Sequence, residues 1–171
     1  FGEGGGPVAL KVMLEAERGD AGRFQREAEA LSSLAHPAVV RYIAHGSTEG
    51  GAPWLAMEWL DGVDLGERLR TSPVLPLSHA IAIALRVAEG LGAAHSAGLV
   101  HRDVKPGNIF LPDGDPERAK VLDFGVVRVG AAAQVRTRTG SFLGTPGYIA
   151  PEQARGARHV GPAADVFSLG C

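Results

Sequence analysis

The feature that most restricts the fold is a change of pattern at MEWLDG, residues 57–62. Before it, three short apolar or β-branched runs read as strands: PVALKVML (7–14), AVVRYIAHG (38–46) and PWLAMEWL (53–60). Between the first two lies one helical segment, RFQREAEALSSLAH (23–36). Phe24, Ala28 and Leu31 share one face of it, and Glu27, Leu31 and Leu34 an adjoining one. His36-Pro37 ends that helix, because a residue preceding proline is pushed out of the α region. After the change of pattern, DLGERLRTS (64–72) reads as a short amphipathic helix. SHAIAIALRVAEGLGAAHSAG (78–98) reads as a long one, with Ser78 as its N-cap and Gly98 as its left-handed stop. Short strands are expected at 99–100, in NIFL (108–111) and in AKVL (119–122), then an irregular stretch over 124–150 and an apolar helix in GPAADVFSLGC (161–171). The expectation is an α+β chain, with a strand-rich part over 1–60 hinged to a helical part over 61–171.

Composition excludes several function classes. Hydrophobic residues at 45%, charged residues at 21% and a net charge of −2 allow a buried core and give no basic surface for nucleic acid. The longest apolar stretch is broken by Arg86, Glu89 and His95, so it is expected as a core helix with no membrane segment. A single cysteine, Cys171, provides no internal disulfide framework and fits a reducing, cytoplasmic compartment.

The chemistry concentrates in HRDVKPGN, residues 101–108. Asp103 can accept or orient a hydroxyl proton, Lys105 can neutralise a transferring phosphoryl group, and Asn108 offers an oxygen to a hard cation. DFG (123–125) follows the AKVL strand, so Asp123 presents a carboxylate at a strand end, where it and Asn108 could share a magnesium ion. Taken alone this triplet is also an ordinary turn. GTPGYIAPE (144–152) closes the irregular stretch.

Together with FQREAEAL, HPAVV, MEWLDG, PEQARG and DVFSLGC, these motifs resemble the eukaryotic-like serine/threonine protein kinases, in their bacterial branch, over essentially the whole chain. The resemblance implies a bilobal kinase fold and transfer of phosphate from ATP, with Mg2+, to protein serine or threonine hydroxyls in signalling. It implies that Lys11 of VALK pairs with the α/β-phosphates, that Ala9 lies against the adenine and that Glu27 is the partner of Lys11, with Glu29 as its rival. It makes Met57 the gatekeeper and Phe110 the floor of the purine slot, and gives the backbone of Glu58 and Leu60 the adenine edge. Asp61 either touches the ribose or forms a turn with Gly62. Arg102 is implied to read a phosphate on Thr137 or Thr139, whose neighbours Arg136 and Arg138 fit either self-phosphorylation or a solvated basic loop. Thr145 is implied to bond Asp103 and Lys105, favouring Ser/Thr over Tyr acceptors. His101 is expected to pack under Phe124, with Asp165 holding the loop backbone. A non-catalytic, scaffolding kinase-like protein is the alternative.

The first residues, FGEGGGPVALKVM, depart from the family's G-x-G-x-x-G-x-V phosphate loop. Counted from Gly2 the third glycine falls at Pro7, and counted from Gly4 it falls at Ala9. Two strands and a turn need about a dozen residues, and Lys11 follows Gly6 too closely for that. These glycines are therefore expected to form a turn entering the lysine strand. The chain is expected to be an interior kinase fragment, truncated at both ends, unstable and inactive by itself.

Overall fold

The computed structural model describes residues 6–13, 21–124, 147–157 and 159–171. The turn expected of the first glycines, and Thr137, Thr139 and Thr145, lie outside the described residues. Two three-stranded sheets organise the rest. The first has the order β1-β3-β2, with β1 at Val8–Val12, β2 at Tyr42–Ser47 and β3 at Pro53–Glu58, all antiparallel. Helix α1 (Ala21–Ser33) packs on β2, where Phe24 meets the His45 ring edge-on at 6.4 Å and Gln25 reaches the same imidazole. Its buried face is the one the spacing predicts: Phe24, Ala28 and Leu31.

The second sheet is β4-β5-β6, made of Gly62–Asp64, Ile109–Pro112 and Lys120–Val121. Strand β4 was not expected, because three residues are too few to show a period. Gly62 makes its pairing possible: its φ is +143°, and a Cβ there would stand 2.2 Å from the Leu111 carbonyl oxygen. Asp64 then caps α2 (Leu65–Thr71) by accepting from the Glu67 amide at 2.9 Å. Residues 99–100, expected as strand, are irregular.

Helix α3 (Leu77–Ser96) begins one residue before the expected Ser78 cap. Pro76 takes the cap position without a side-chain bond, its ring fixing φ at −55° while its carbonyl accepts from Ala80. The far end stops as expected at Gly98, whose φ is +77°. The amide of Gly98 bonds the His95 carbonyl and that of Leu99 bonds Ala94, the paired closure of a Schellman motif. By length and composition α3 could cross a membrane. In the fold, however, Ile83, Val87, Leu91 and Ala94 bury one face of it in the core, beside β6 and α5 (Pro162–Leu169).

Residues 38–40 were expected to continue into β2. Instead they leave it and run parallel to β6, with Val40 N–H bonding the Val121 carbonyl at 3.0 Å and Val121 N–H bonding the Ala38 carbonyl at 2.8 Å. The two sheets are joined through this bridge. Val39, Val40, Val87 and Val121 are all essentially inaccessible there, and truncating one of them to alanine costs on the order of 1–3 kcal/mol.

Gly90 marks where α3 touches that bridge: a Cβ would stand 2.7 Å from the Ala38 carbonyl oxygen, whereas one at Gly92 meets nothing within 4 Å. Gly90→Ala is therefore expected to destabilise the fold by about 1–3 kcal/mol. Gly92→Ala is expected to stabilise it by about 0.5–1 kcal/mol through helix propensity. Urea unfolding of the two variants checks this; equal midpoints would contradict the close contact.

Candidate active site

The loop that follows α3 is shaped by a carboxylate from another helix. Asp165, on α5, is wholly buried. It accepts from the backbone N–H of His101 at 2.8 Å and of Arg102 at 2.7 Å, and its Oδ2 lies 2.8 Å from His95 Nε2. This matches the expectation for Asp165; the His95 contact was not foreseen. Arg102 has φ +65°, a conformation that costs a non-glycine residue about 1–2 kcal/mol. Its amide is held by Asp165 and its carbonyl by Gln153 Nε2 at 2.8 Å, so the strained geometry is fixed from both sides.

His101 carries that order to the strand before Asp123. Its Nδ1 accepts from the Asp103 amide at 3.2 Å, which leaves the ring proton on Nε2 to be donated to the Leu122 carbonyl at 2.7 Å. Burial holds its pKa below the ordinary 6.5, against the smaller opposing effects of the Leu122 bond and nearby carboxylates, so the ring is neutral near pH 7. It packs on Phe124 with ring centroids 4.8 Å apart, as expected.

Asp103, Lys105 and Asn108 converge. Asp103 Oδ2 accepts from Lys105 Nζ at 2.9 Å and from Asn108 Nδ2 at 3.1 Å, and the same amide nitrogen donates to the Asp103 carbonyl at 2.8 Å. Asn108 thus directs its amide nitrogen to Asp103, and its oxygen makes no hydrogen bond among the described residues. The Leu122 amide bonds the Asn108 carbonyl at 2.9 Å, which sets Asp123 beside this loop. Asp123 has φ +52° and receives Lys11 Nζ on Oδ1 at 2.9 Å.

Among the described residues the carboxylate that meets Lys11 is Asp123, just beyond the end of β6. Glu27, which the resemblance implies as its partner, stands on α1, which packs on β2. Tyr42 was missed entirely. Burial of its hydroxyl, then the Asp123 charge, push its pKa well above the ordinary tyrosine range, against a smaller opposing effect of the Phe124 backbone.

The remaining predicted residues lie on strands of both sheets or just beyond them. Ala9 and Met57 are register partners across β1 and β3, with Met57 buried. Glu58 ends β3, and Leu60 makes no hydrogen bond among the described residues. Phe110, half-buried on β5, pairs with Asp64 on one side and Lys120 on the other. The Asp61 carboxylate accepts from the Trp59 indole at 3.0 Å and its carbonyl from the Asp113 amide at 2.9 Å.

The chain that carries this loop is similar to known proteins. The family model described as the protein kinase domain matches residues 3–171. The chain belongs to the protein kinase family. It is 42% identical to the serine/threonine-protein kinase pkn2 of Myxococcus xanthus, over 97% of this chain and 20% of that protein. It is 45% identical to the serine/threonine-protein kinase PknL of Mycobacterium tuberculosis, over 96% of this chain and 41% of that one. The chain thus spans less than half the length of these relatives. Among solved structures, Rad53 1–466 in complex with AMP-PNP superposes with a TM-score of 0.76 at 27% identity, covering 96% of this chain and 39% of that one. The bilobal kinase fold expected from the motifs is the fold observed.

The neutral, buried His101 predicts a pH dependence. The unfolded chain protonates this imidazole near 6.5 and the folded chain resists, so stability is full above pH 6.5 and falls on acidification. The fall attributable to one such group is at most about 1.4 kcal/mol per pH unit. His101→Phe is expected to be less stable at pH 7 but to show a flatter profile between pH 7 and 5. Parallel profiles for the two proteins, by urea unfolding, would contradict this.

Proposed function

We propose that the protein carrying this chain transfers the γ-phosphoryl group of ATP to serine or threonine hydroxyls of proteins, as part of signalling in the cytoplasm. The observation that carries this reading is the convergence of Lys105 and Asn108 on one oxygen of Asp103, on a loop tied through Leu122 to Asp123. In the transfer, the acceptor oxygen forms a bond to the γ-phosphorus while the bond to the β–γ bridging oxygen breaks, and ADP departs. Asp103 orients the hydroxyl and takes its proton. Lys105 holds Asp103 and offsets charge on the phosphoryl oxygens, and Lys11 serves the α/β-phosphates.

The oxygens of Asn108 and Asp123 fit a magnesium ion, since both are hard donors and Mg2+ keeps several waters and takes its other ligands from phosphates. Held by Asn108 and Asp123, such an ion would supply positive charge to offset that of the phosphates. For the adenine, the fitting groups are Ala9, Met57, Glu58, Leu60 and Phe110. Support for ATP comes from the likeness to the AMP-PNP complex. Arg102 supports regulation by phosphate: its Nε is buried and has no hydrogen-bond partner among the described residues. A phosphate on Thr137 or Thr139 is the anion we propose for it, formed by self-phosphorylation.

Asp103→Asn is expected to lower phosphate transfer by about 10²–10⁴-fold by removing the proton acceptor. Asp123→Asn is expected to abolish self-phosphorylation by weakening the cation site. Mass spectrometry of the wild-type and variant proteins after incubation with MgATP reads both; equal incorporation in wild type and Asp123→Asn would sink the kinase reading.

A further inference from the structure

The end of β3 contains a departure from ladder geometry that the site residues do not explain. Glu58 N–H donates to the Arg41 carbonyl at 2.9 Å, as an antiparallel pair requires. The return bond is diverted. Arg41 N–H donates at 2.8 Å to Oε1 of the Glu58 side chain, where a regular pair would send it to the Glu58 main-chain carbonyl. That carboxylate is held by Lys120 Nζ at 2.5 Å, from β6 in the other sheet, with both side chains only 19% exposed. Lys120 is also the register partner of Phe110 on β5.

Two consequences follow from these bonds. The Glu58 carbonyl, at the end of β3, is spared the ladder bond that Arg41 would otherwise make to it. And Lys120 ties that strand end to the strand pair bearing Phe110. We propose that Lys120 is a positioning residue for the purine: it holds the Glu58 carboxylate over Arg41 N–H and so keeps the Glu58 carbonyl open to the 6-amino group of adenine. This rests on the nucleotide reading above, in which Glu58 borders the adenine. Without Lys120, a largely buried carboxylate lacks its cation and turns toward water. Arg41 N–H then falls back on the Glu58 carbonyl, which can no longer accept fully from the base.

A bond to the 6-amino group distinguishes ATP from ITP, which carries a 6-oxo group and cannot donate there. The experiment compares kcat and KM for both nucleotides in the whole protein, with a peptide acceptor, for wild type, Lys120→Met, Lys120→Arg and Glu58→Ala. Lys120→Met and Glu58→Ala are expected to raise KM for ATP about fivefold while KM for ITP moves little, so that the preference for ATP shrinks by the same factor. KM for the peptide stays constant. Lys120→Arg, which can still hold the carboxylate, keeps the wild-type preference. The proposal is overturned if Lys120→Met retains the wild-type preference for ATP, or if ATP and ITP weaken equally, as a merely destabilised fold would produce. A wild-type protein that phosphorylates with neither nucleotide would instead overturn the kinase reading.

Discussion

The conformation of the loop that begins at His101 depends on the buried carboxylate of Asp165. A carboxylate removed from water costs several kcal/mol unless its oxygens are satisfied, and this one is satisfied by the amides of His101 and Arg102 and by the His95 ring. Those donors are available together only when α3 ends at Gly98, the loop turns through the left-handed Arg102, and α5 lies alongside. The desolvation penalty thus makes the loop conformation nearly all-or-none: a partly formed loop would leave a buried charge uncompensated. Gln153, bonding the Arg102 carbonyl, adds a second restraint at the strained residue.

From that anchor, order passes along hydrogen bonds of fixed direction. Because His101 Nδ1 accepts from Asp103, its Nε2 must donate, and the Leu122 carbonyl is the acceptor. The Leu122 amide in turn bonds Asn108. Leu122 therefore ties the loop bearing Asp103 to the strand end bearing Asp123 through both of its backbone groups. One residue earlier, Val121 bonds the 38–40 segment, which leads into the first sheet. The spacing of the two sheets and the placement of the acidic groups are consequently set by the same short strand.

Which parts of this were legible in the sequence follows from what periodicity can encode. The apolar faces of α1 and α3, the Gly98 stop and the strands around Lys11 and Met57 are local patterns, and they appear where the spacing places them. The residues of HRDVKPGN converge because they are neighbours on one loop. What escaped were choices between distant partners. Strand β4 exists only because β5 returns beside it. Residues 38–40 carry a strand-like composition but pair with β6 instead of continuing β2. Lys11 meets Asp123, more than a hundred residues along the chain, a pairing that no local spacing encodes. Tyr42 and Lys120 have no motif, and Gln153 lies in one, PEQARG, that does not name its partner; their partners lie too far along the chain for any local pattern to reveal them.

The two lysine–carboxylate pairs of the site are not equivalent, and their exposure says why. In Lys11–Asp123 the side chains are 34% and 37% exposed, so water screens the attraction and the pair is worth at most about 1 kcal/mol. In Lys105–Asp103 the values are 25% and 15%, and Asn108 bonds the same carboxylate oxygen, so separating that pair also strands a second donor. A group that must exchange partners needs the first kind of contact; a group that must keep one orientation needs the second. Lys11 and Asp123 can therefore be drawn apart at little cost to the fold, as the proposed nucleotide reading requires of them, while Asp103 stays aimed by a network that reaches back to Asp165.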